Sequence, residues 1–204
     1  MTTGRYLTLD RESTGEVREK ASRFFAYAFP IADEDMFKQQ LARVAKEHHA
    51  ARHLCYGWVL GTTGGRFRAF DAGEPAGSAG KPILRQLQGA GLTQCAIVVA
   101  RYFGGTLLGK AGLARAFADA AKAALANNTV VERQPTTRLV VQCSYAEEDA
   151  VRKEVERPGG EVHGAVYGGQ CTLHVAIPVS HAETLRQRWS LRGIITECET
   201  DPPR

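Results

Sequence analysis

Three short clusters hold the residues best suited to chemistry. The first is residues 101–117, RYFGGTLLGKAGLARAF, in which Gly104, Gly105, Gly109 and Gly112 permit close backbone approach and Arg101, Lys110 and Arg115 bring positive charge. Amides gathered at a glycine turn between a strand and a helix make an anion site. Residues 104–110 keep the G-x-x-x-x-G-K spacing of a phosphate-binding loop. The next residue is Ala111, so the hydroxyl that would ligate Mg²⁺ is missing, and no apolar strand ending in aspartate partners the loop. An NTPase reading is therefore set aside, and tight strand-to-helix packing is the plain alternative for these glycines.

The second cluster is Arg52-His53-Leu54-Cys55-Tyr56-Gly57-Trp58. Strand alternation puts His53, Cys55 and Gly57 on one face. Same-face neighbours lie about 7 Å apart, too far for a direct Cys–His hydrogen bond, so a packed cysteine and a hydrogen-bonded histidine are expected. The third is Asp71-Ala72-Gly73-Glu74-Pro75, followed by Gly77-Ser78-Ala79-Gly80-Lys81-Pro82. Two carboxylates three apart can hold a metal or act as acid and base. The preferred reading makes them loop organisers, Asp71 accepting turn amides and Glu74 pairing with Arg52, Lys81 or Arg101. His53 and Glu74 remain the acid–base candidates of an enzymatic alternative; no metal and no cofactor is expected. His48-His49 lacks acidic company, and adjacent residues diverge on a helix.

The elements that must position these clusters follow from hydrophobic periodicity. Residues 15–20 and 23–29 read as a hairpin, and a helix capped by Asp33 carries Met36, Phe37, Leu41, Val44 and Ala45 on one face. Strands follow at 53–60 and 66–70, then an ordered glycine- and proline-rich loop and a helix at 83–88. A strand at 96–100 enters the glycine turn, an alanine-rich helix spans 113–125, and 130–132 is a short strand. Past Pro135 the order is strand 138–144, helix 147–155, strands 160–167 and 170–177, helix 180–189 and strand 193–197. This βαββαβ order is that of a ferredoxin-like fold.

Charge divides at the same place. Residues 1–134 carry 18 Lys and Arg against 12 Asp and Glu, net +6, whereas residues 135–204 carry 8 against 10, net −2. The excess suggests a surface for phosphate or an acidic partner. No apolar run approaches the roughly 20 residues that span a bilayer, and the N-terminus lacks a signal-peptide pattern. A cytoplasmic protein without membrane attachment is expected. The five cysteines are odd in number, widely spaced and mostly within apolar segments, so buried thiols are expected over disulfides or zinc.

Four motifs together resemble the IMPACT family, particularly its bacterial YigZ-like members: K-x-S-R-F (Lys20, Ser22, Arg23, Phe24), A-R-H-x-C (Ala51 to Cys55), D-x-G-E-P-x-G-S-A-G-x-P (Asp71 to Pro82) and R-Y-F-G-G-x-x-L-G-x-x-G-L-x-R-A (Arg101 to Ala116). The resemblance implies an α+β chain. Residues 1–134 would form a ribosomal protein S5 domain 2-like unit, and 135–204 a ferredoxin-like unit similar to a late domain of elongation factor G. Ala72 stands where many relatives have a second aspartate, and Ala111 where many have glycine. Eukaryotic relatives resemble regulators of translation that act through an additional N-terminal domain.

The leading expectation is a non-enzymatic protein whose basic N-terminal face binds RNA, the ribosome or another polyanion, with a possible protein partner in translation and no motif for reading DNA sequence. Arg52, Lys81, Arg101, Lys110 and Arg115 supply phosphate contacts, and the amides of Gly104 and Gly105 supply neutral donors. The alternatives are an enzyme on a small phosphorylated or acidic substrate at a pocket of His53, Glu74 and Arg101, and an adaptor using the ferredoxin-like sheet.

Overall fold

The apolar run Cys95–Tyr102 is buried along almost its whole length because it forms the middle of a sheet covered by helices on both faces. The computed structural model describes residues 4–198 and divides the chain into one unit spanning Arg5–Arg133 and a second from Gln134 onward. The first contains β1 (Tyr6–Leu9), β2 (Ser13–Glu19), β3 (Ser22–Pro30), α1 (Glu34–Glu47), β4 (His53–Leu60), β5 (Arg66–Phe70), α2 (Gly80–Gly89), β6 (Cys95–Tyr102), α3 (Gly109–Ala126) and β7 (Val130–Arg133). Strands β2 to β6 make a five-stranded antiparallel sheet in the order β2-β3-β6-β4-β5, while β1 pairs with β7 as a separate ribbon.

Alternation along the strands sorts side chains onto two cores. Phe24, Ala26, Cys55, Val59, Ile97 and Val99 meet α2 and α3 on one face, where Phe24 packs edge-on against Phe117. Tyr27, Phe29, Tyr56, Trp58, Ala96 and Val98 meet Phe37 and Val44 of α1 on the other. The same parity sends Arg101 toward α2 and α3, and Tyr102 toward α1. On the α1 face His48 is buried, with Nε2 2.6 Å from the Tyr27 hydroxyl and Nδ1 3.0 Å from that of Tyr102. Gly57 admits α2: a Cβ there would lie 2.8 Å from the Leu84 backbone nitrogen.

The second unit contains β8 (Thr136–Cys143), α4 (Glu148–Glu156), β9 (Glu161–Tyr167), β10 (Cys171–Pro178), α5 (Val179–Ser190) and β11 (Ile195–Cys198). Its antiparallel sheet runs β11-β8-β10-β9, the ferredoxin-like arrangement. Leu139, Val141, Leu173 and Val175 pack beneath Val151, Val155, Leu185 and Trp189. Glu154 accepts from the Trp189 indole at 2.6 Å and from Arg192 at 2.9 Å, tying α5 and the turn after it to α4. The α+β class expected from the sequence is the one observed.

Some boundaries differ from those read in the sequence. Helix α2 starts three residues early, at Gly80, because Pro82 falls in its first turn, where a missing N–H costs nothing. Helix α3 starts four residues early, at Gly109, and its two low-propensity glycines hid that turn. The ribbon strand β1 was not anticipated. Cys55, Cys95, Cys143 and Cys171 are buried free thiols, whereas Cys198 is exposed.

Candidate functional site

The loop between β5 and α2 is built around Asp71. Its carboxylate accepts the N–H groups of Gly77 at 2.8 Å, Ala79 at 3.0 Å and Gly80 at 2.8 Å, which anchors the start of α2 to a residue well upstream of it. Burial alone would raise the Asp71 carboxyl, but the donors of Gly77, Gly80 and Ala79, together with the charge of Lys81, hold it below its ordinary value. Ala72 takes a left-handed backbone, φ 49°, and turns its carbonyl to His53. That carbonyl is 2.7 Å from Nδ1 and only accepts, so Nδ1 carries the proton and neutral His53 has a free acceptor at Nε2. The Cys55 thiol donates to the Asp71 carbonyl at 3.1 Å. Burial, followed by the charges of Glu74 and Asp71, pushes this thiol far above its usual range, so it is not a nucleophile.

Glu74 and Arg101 form the buried centre of the site. Their side chains are 3% and 8% exposed, and Arg101 Nη1 donates to both Glu74 oxygens at 2.6 and 2.8 Å. The guanidinium also lies 5.7 Å from the Phe24 ring and 5.5 Å from that of Phe103. Its Nε is buried without a hydrogen-bond partner. A donor left bare in this way is a cost the fold carries, since the atom is closed to a ligand in the solvent.

These groups meet in a cleft of about 610 Å³, lined by Arg52, His53, Glu74 and Arg101 and by residues 107–110. Residues 108–110 are the start of α3, an 18-residue helix whose N-cap position, Leu108, makes no side-chain cap and whose first turn holds no acidic residue. Its orphan amides and the positive end of its dipole are thus unopposed there. Three cations line the cleft against one carboxylate.

Of the residues singled out in the sequence, Arg52, His53, Glu74, Arg101 and Lys110 share the cleft, while Lys81 and Arg115 are exposed on α2 and α3 and do not line it. Arg101 is a buried, paired cation at the cleft rather than a free surface contact. Gly104 and Gly105 do not line the cleft either. The Gly104 amide donates to Ser22 Oγ at 3.2 Å, and a Cβ on Gly104 would lie 1.9 Å from the Ala21 carbonyl carbon. That glycine therefore admits the β2–β3 hairpin tip, and the residues of this turn that line the cleft come after it. The basic region is concave, and His53, Glu74 and Arg101 converge in it, the arrangement that the enzymatic alternative called for. Tyr102, Phe103 and Leu107 also line the cleft; Tyr102 and Phe103 stand at the end of the apolar strand and in the R-Y-F-G-G motif, which was the available signal, whereas nothing marked Leu107.

On the ferredoxin-like sheet, exposed Val166 and Ile195 lie on opposite edge strands with Gln142 and Thr172 between them, so they make no continuous apolar patch. Among the described residues no group of three His, Cys, Asp or Glu is arranged to hold a metal, and no helix is long and apolar enough to cross a membrane.

A five-stranded antiparallel unit carrying a basic cleft, followed by a ferredoxin-like unit, defines the class of two-domain α+β proteins to which this chain belongs. The model of the Impact N-terminal domain matches residues 20–125, a span that holds all four sequence motifs, and the chain belongs to the IMPACT family. It is 34% identical over 163 residues to the IMPACT family member YigZ of Escherichia coli (strain K12), covering 79% of this chain and 80% of that one. An IMPACT family member of Haemophilus influenzae is 35% identical over 166 residues, covering 79% and 78%. A crystal structure of a hypothetical protein superposes with a TM-score of 0.69 at 30% identity, covering 98% of this chain and 99% of that one.

Proposed function

We propose that this protein is a non-enzymatic, cytoplasmic binder of RNA phosphate, acting in translation or its regulation as the family resemblance implies. The supporting observation is a cleft lined by Arg52, Arg101, Lys110 and the uncapped start of α3 against one carboxylate, Glu74. A phosphate seated there draws on the amides at the helix start and on the charge of Arg52 and Lys110. Glu74 holds the Arg101 guanidinium in place and tempers its charge, and the release of counterions makes binding salt-sensitive. The test is anisotropy titration of a labelled single-stranded RNA over a range of salt concentrations. With two to three cations engaged, log K should fall against log salt with a slope of about −2, and Lys110→Ala or Arg52→Ala should each flatten it by about 0.7. No binding at low salt, or an unchanged slope in both variants, overturns the reading.

A second reading is favoured by one observation: His53 and Glu74 share the cleft with Arg101. With Nδ1 fixed on the Ala72 carbonyl, Nε2 has the form of a general base toward a small phosphorylated substrate. His53→Gln separates the two. RNA binding through Arg52 and Lys110 should be little changed, whereas an enzyme using Nε2 as its base loses turnover on a small phosphorylated substrate.

A further inference from the structure

The cleft is larger than a phosphate needs, and its mouth carries an apolar pair that the fold leaves uncovered. Phe103 is 54% exposed and Leu107 is 83% exposed, and both line the cleft with Arg52, Arg101 and Lys110. Alternation past the end of β6 places Phe103 on the Arg101 side of the strand. There the guanidinium lies 5.5 Å from the centre of its ring, which fixes the aromatic plane beside the anion site without burying it. A flat aromatic, half open, beside Arg101 and in one cleft with Arg52 and Lys110, matches a ligand that is itself a flat ring joined to a phosphate. The volume, about 610 Å³, is in the range of sites that take a whole nucleotide.

We propose that Phe103, with Leu107 beside it, is a base-stacking subsite, and that the ligand unit of the cleft is a nucleoside phosphate whose base lies on Phe103 while its phosphate is held by Arg101, Lys110 and the start of α3. The inference rests on the phosphate reading above and adds the class of group attached to that phosphate. Stacking on an aromatic ring does not distinguish sequence, because every base has a π-face, so the site recognises a nucleotide and not a particular base. A nucleotide unit of an RNA strand and a free mononucleotide share this chemistry.

The experiment compares probes with and without a base. Binding of the full chain and of Phe103→Ala is measured for a single-stranded oligoadenylate, for inorganic tripolyphosphate, and for AMP against ribose 5-phosphate. Phe103 is exposed, so its truncation leaves the core intact. The expected result is a loss of about tenfold for the oligonucleotide in Phe103→Ala, within the roughly 5- to 150-fold range of a stacked base, with tripolyphosphate changed less than about twofold. Phe103→Trp should retain binding and show indole quenching with oligoadenylate but not with tripolyphosphate. AMP outcompeting ribose 5-phosphate while the strand fails to bind supports the nucleotide subsite with a free ligand and overturns the RNA reading. Equal binding by both proteins to oligoadenylate and AMP overturns the stacking subsite and leaves the phosphate site standing. Binding of no probe by the wild-type chain overturns both.

Discussion

His48 ties three hydroxyl and carboxylate groups into one chain on the α1 face. The Tyr27 hydroxyl donates to Glu47 at 2.5 Å, so His48 Nε2 must donate to Tyr27, and Nδ1 accepts from Tyr102. Burial lowers the His48 pKa, with Glu47 opposing it in part, while burial and then Glu47 raise that of Tyr27. A histidine held neutral in the folded state stabilises fully above its unfolded value near 6.5, and that stability is lost as the pH falls from there toward the folded value. The N-terminal unit should therefore unfold more readily at pH 5 than at pH 7, by at most about 1.4 kcal/mol per pH unit, and His48→Gln should remove this slope in denaturant titrations. None of this was visible in the sequence, where two adjacent histidines read as diverging on a helix without acidic company, although Glu47 lies 4.0 Å from His48 Nε2. Their fate depends on which of them faces the sheet, and only tertiary packing decides that. His53, Glu74 and Arg101 were legible because charged residues beside glycine and proline draw attention. Phe103 was hidden because an exposed aromatic next to a strand reads as one more core residue.

At the scale of elements, the loop between β5 and α2 has the most to teach. Asp71 anchors the start of α2 from nine residues before Gly80, by accepting three backbone donors. Asp71→Asn keeps the shape but loses the charge and part of the acceptor capacity, and should cost about 2 kcal/mol at pH 7 in chemical denaturation. Because the folded carboxyl sits below its unfolded value, its contribution is complete above about pH 4 and is lost as the pH falls through the folded value. The gap between wild type and variant should close accordingly in acid. Long periodic elements such as α1 and β4 were legible in the sequence, since repeated apolar spacing survives without context. The first turns of α2 and α3 were not, because glycine and proline are as suited to a helix start as to a loop. The four-residue strand β1 finds its partners far along the chain, in β7 and at Leu92, and no local pattern announces that.

For the whole molecule, the N-terminal unit builds its two cores on one sheet and the ferredoxin-like unit has a core of its own, which implies two cooperative units. Trp58 belongs to the core under α1, and Trp189 to the core of the ferredoxin-like unit, so each unit holds one of the chain's two tryptophans. Trp189→Phe removes the indole donor to Glu154 and leaves a void, and should lower the stability of that unit by about 1–3 kcal/mol. Calorimetry should show one of two transitions moving down while the transition reported by Trp58 fluorescence stays in place.

The strand order β2-β3-β6-β4-β5 also bears on how the chain is made. Strand β6 is the middle of the sheet and the last of its five strands to leave the ribosome. Until it arrives, the apolar β3 segment, Ser22–Pro30, has β2 on one side and an open edge on the other. Such an edge pairs with other chains as readily as with its own. Nascent chains that stall before Cys95 hold the unit's hairpins without the strand that joins them, and they are the species most prone to aggregate during synthesis.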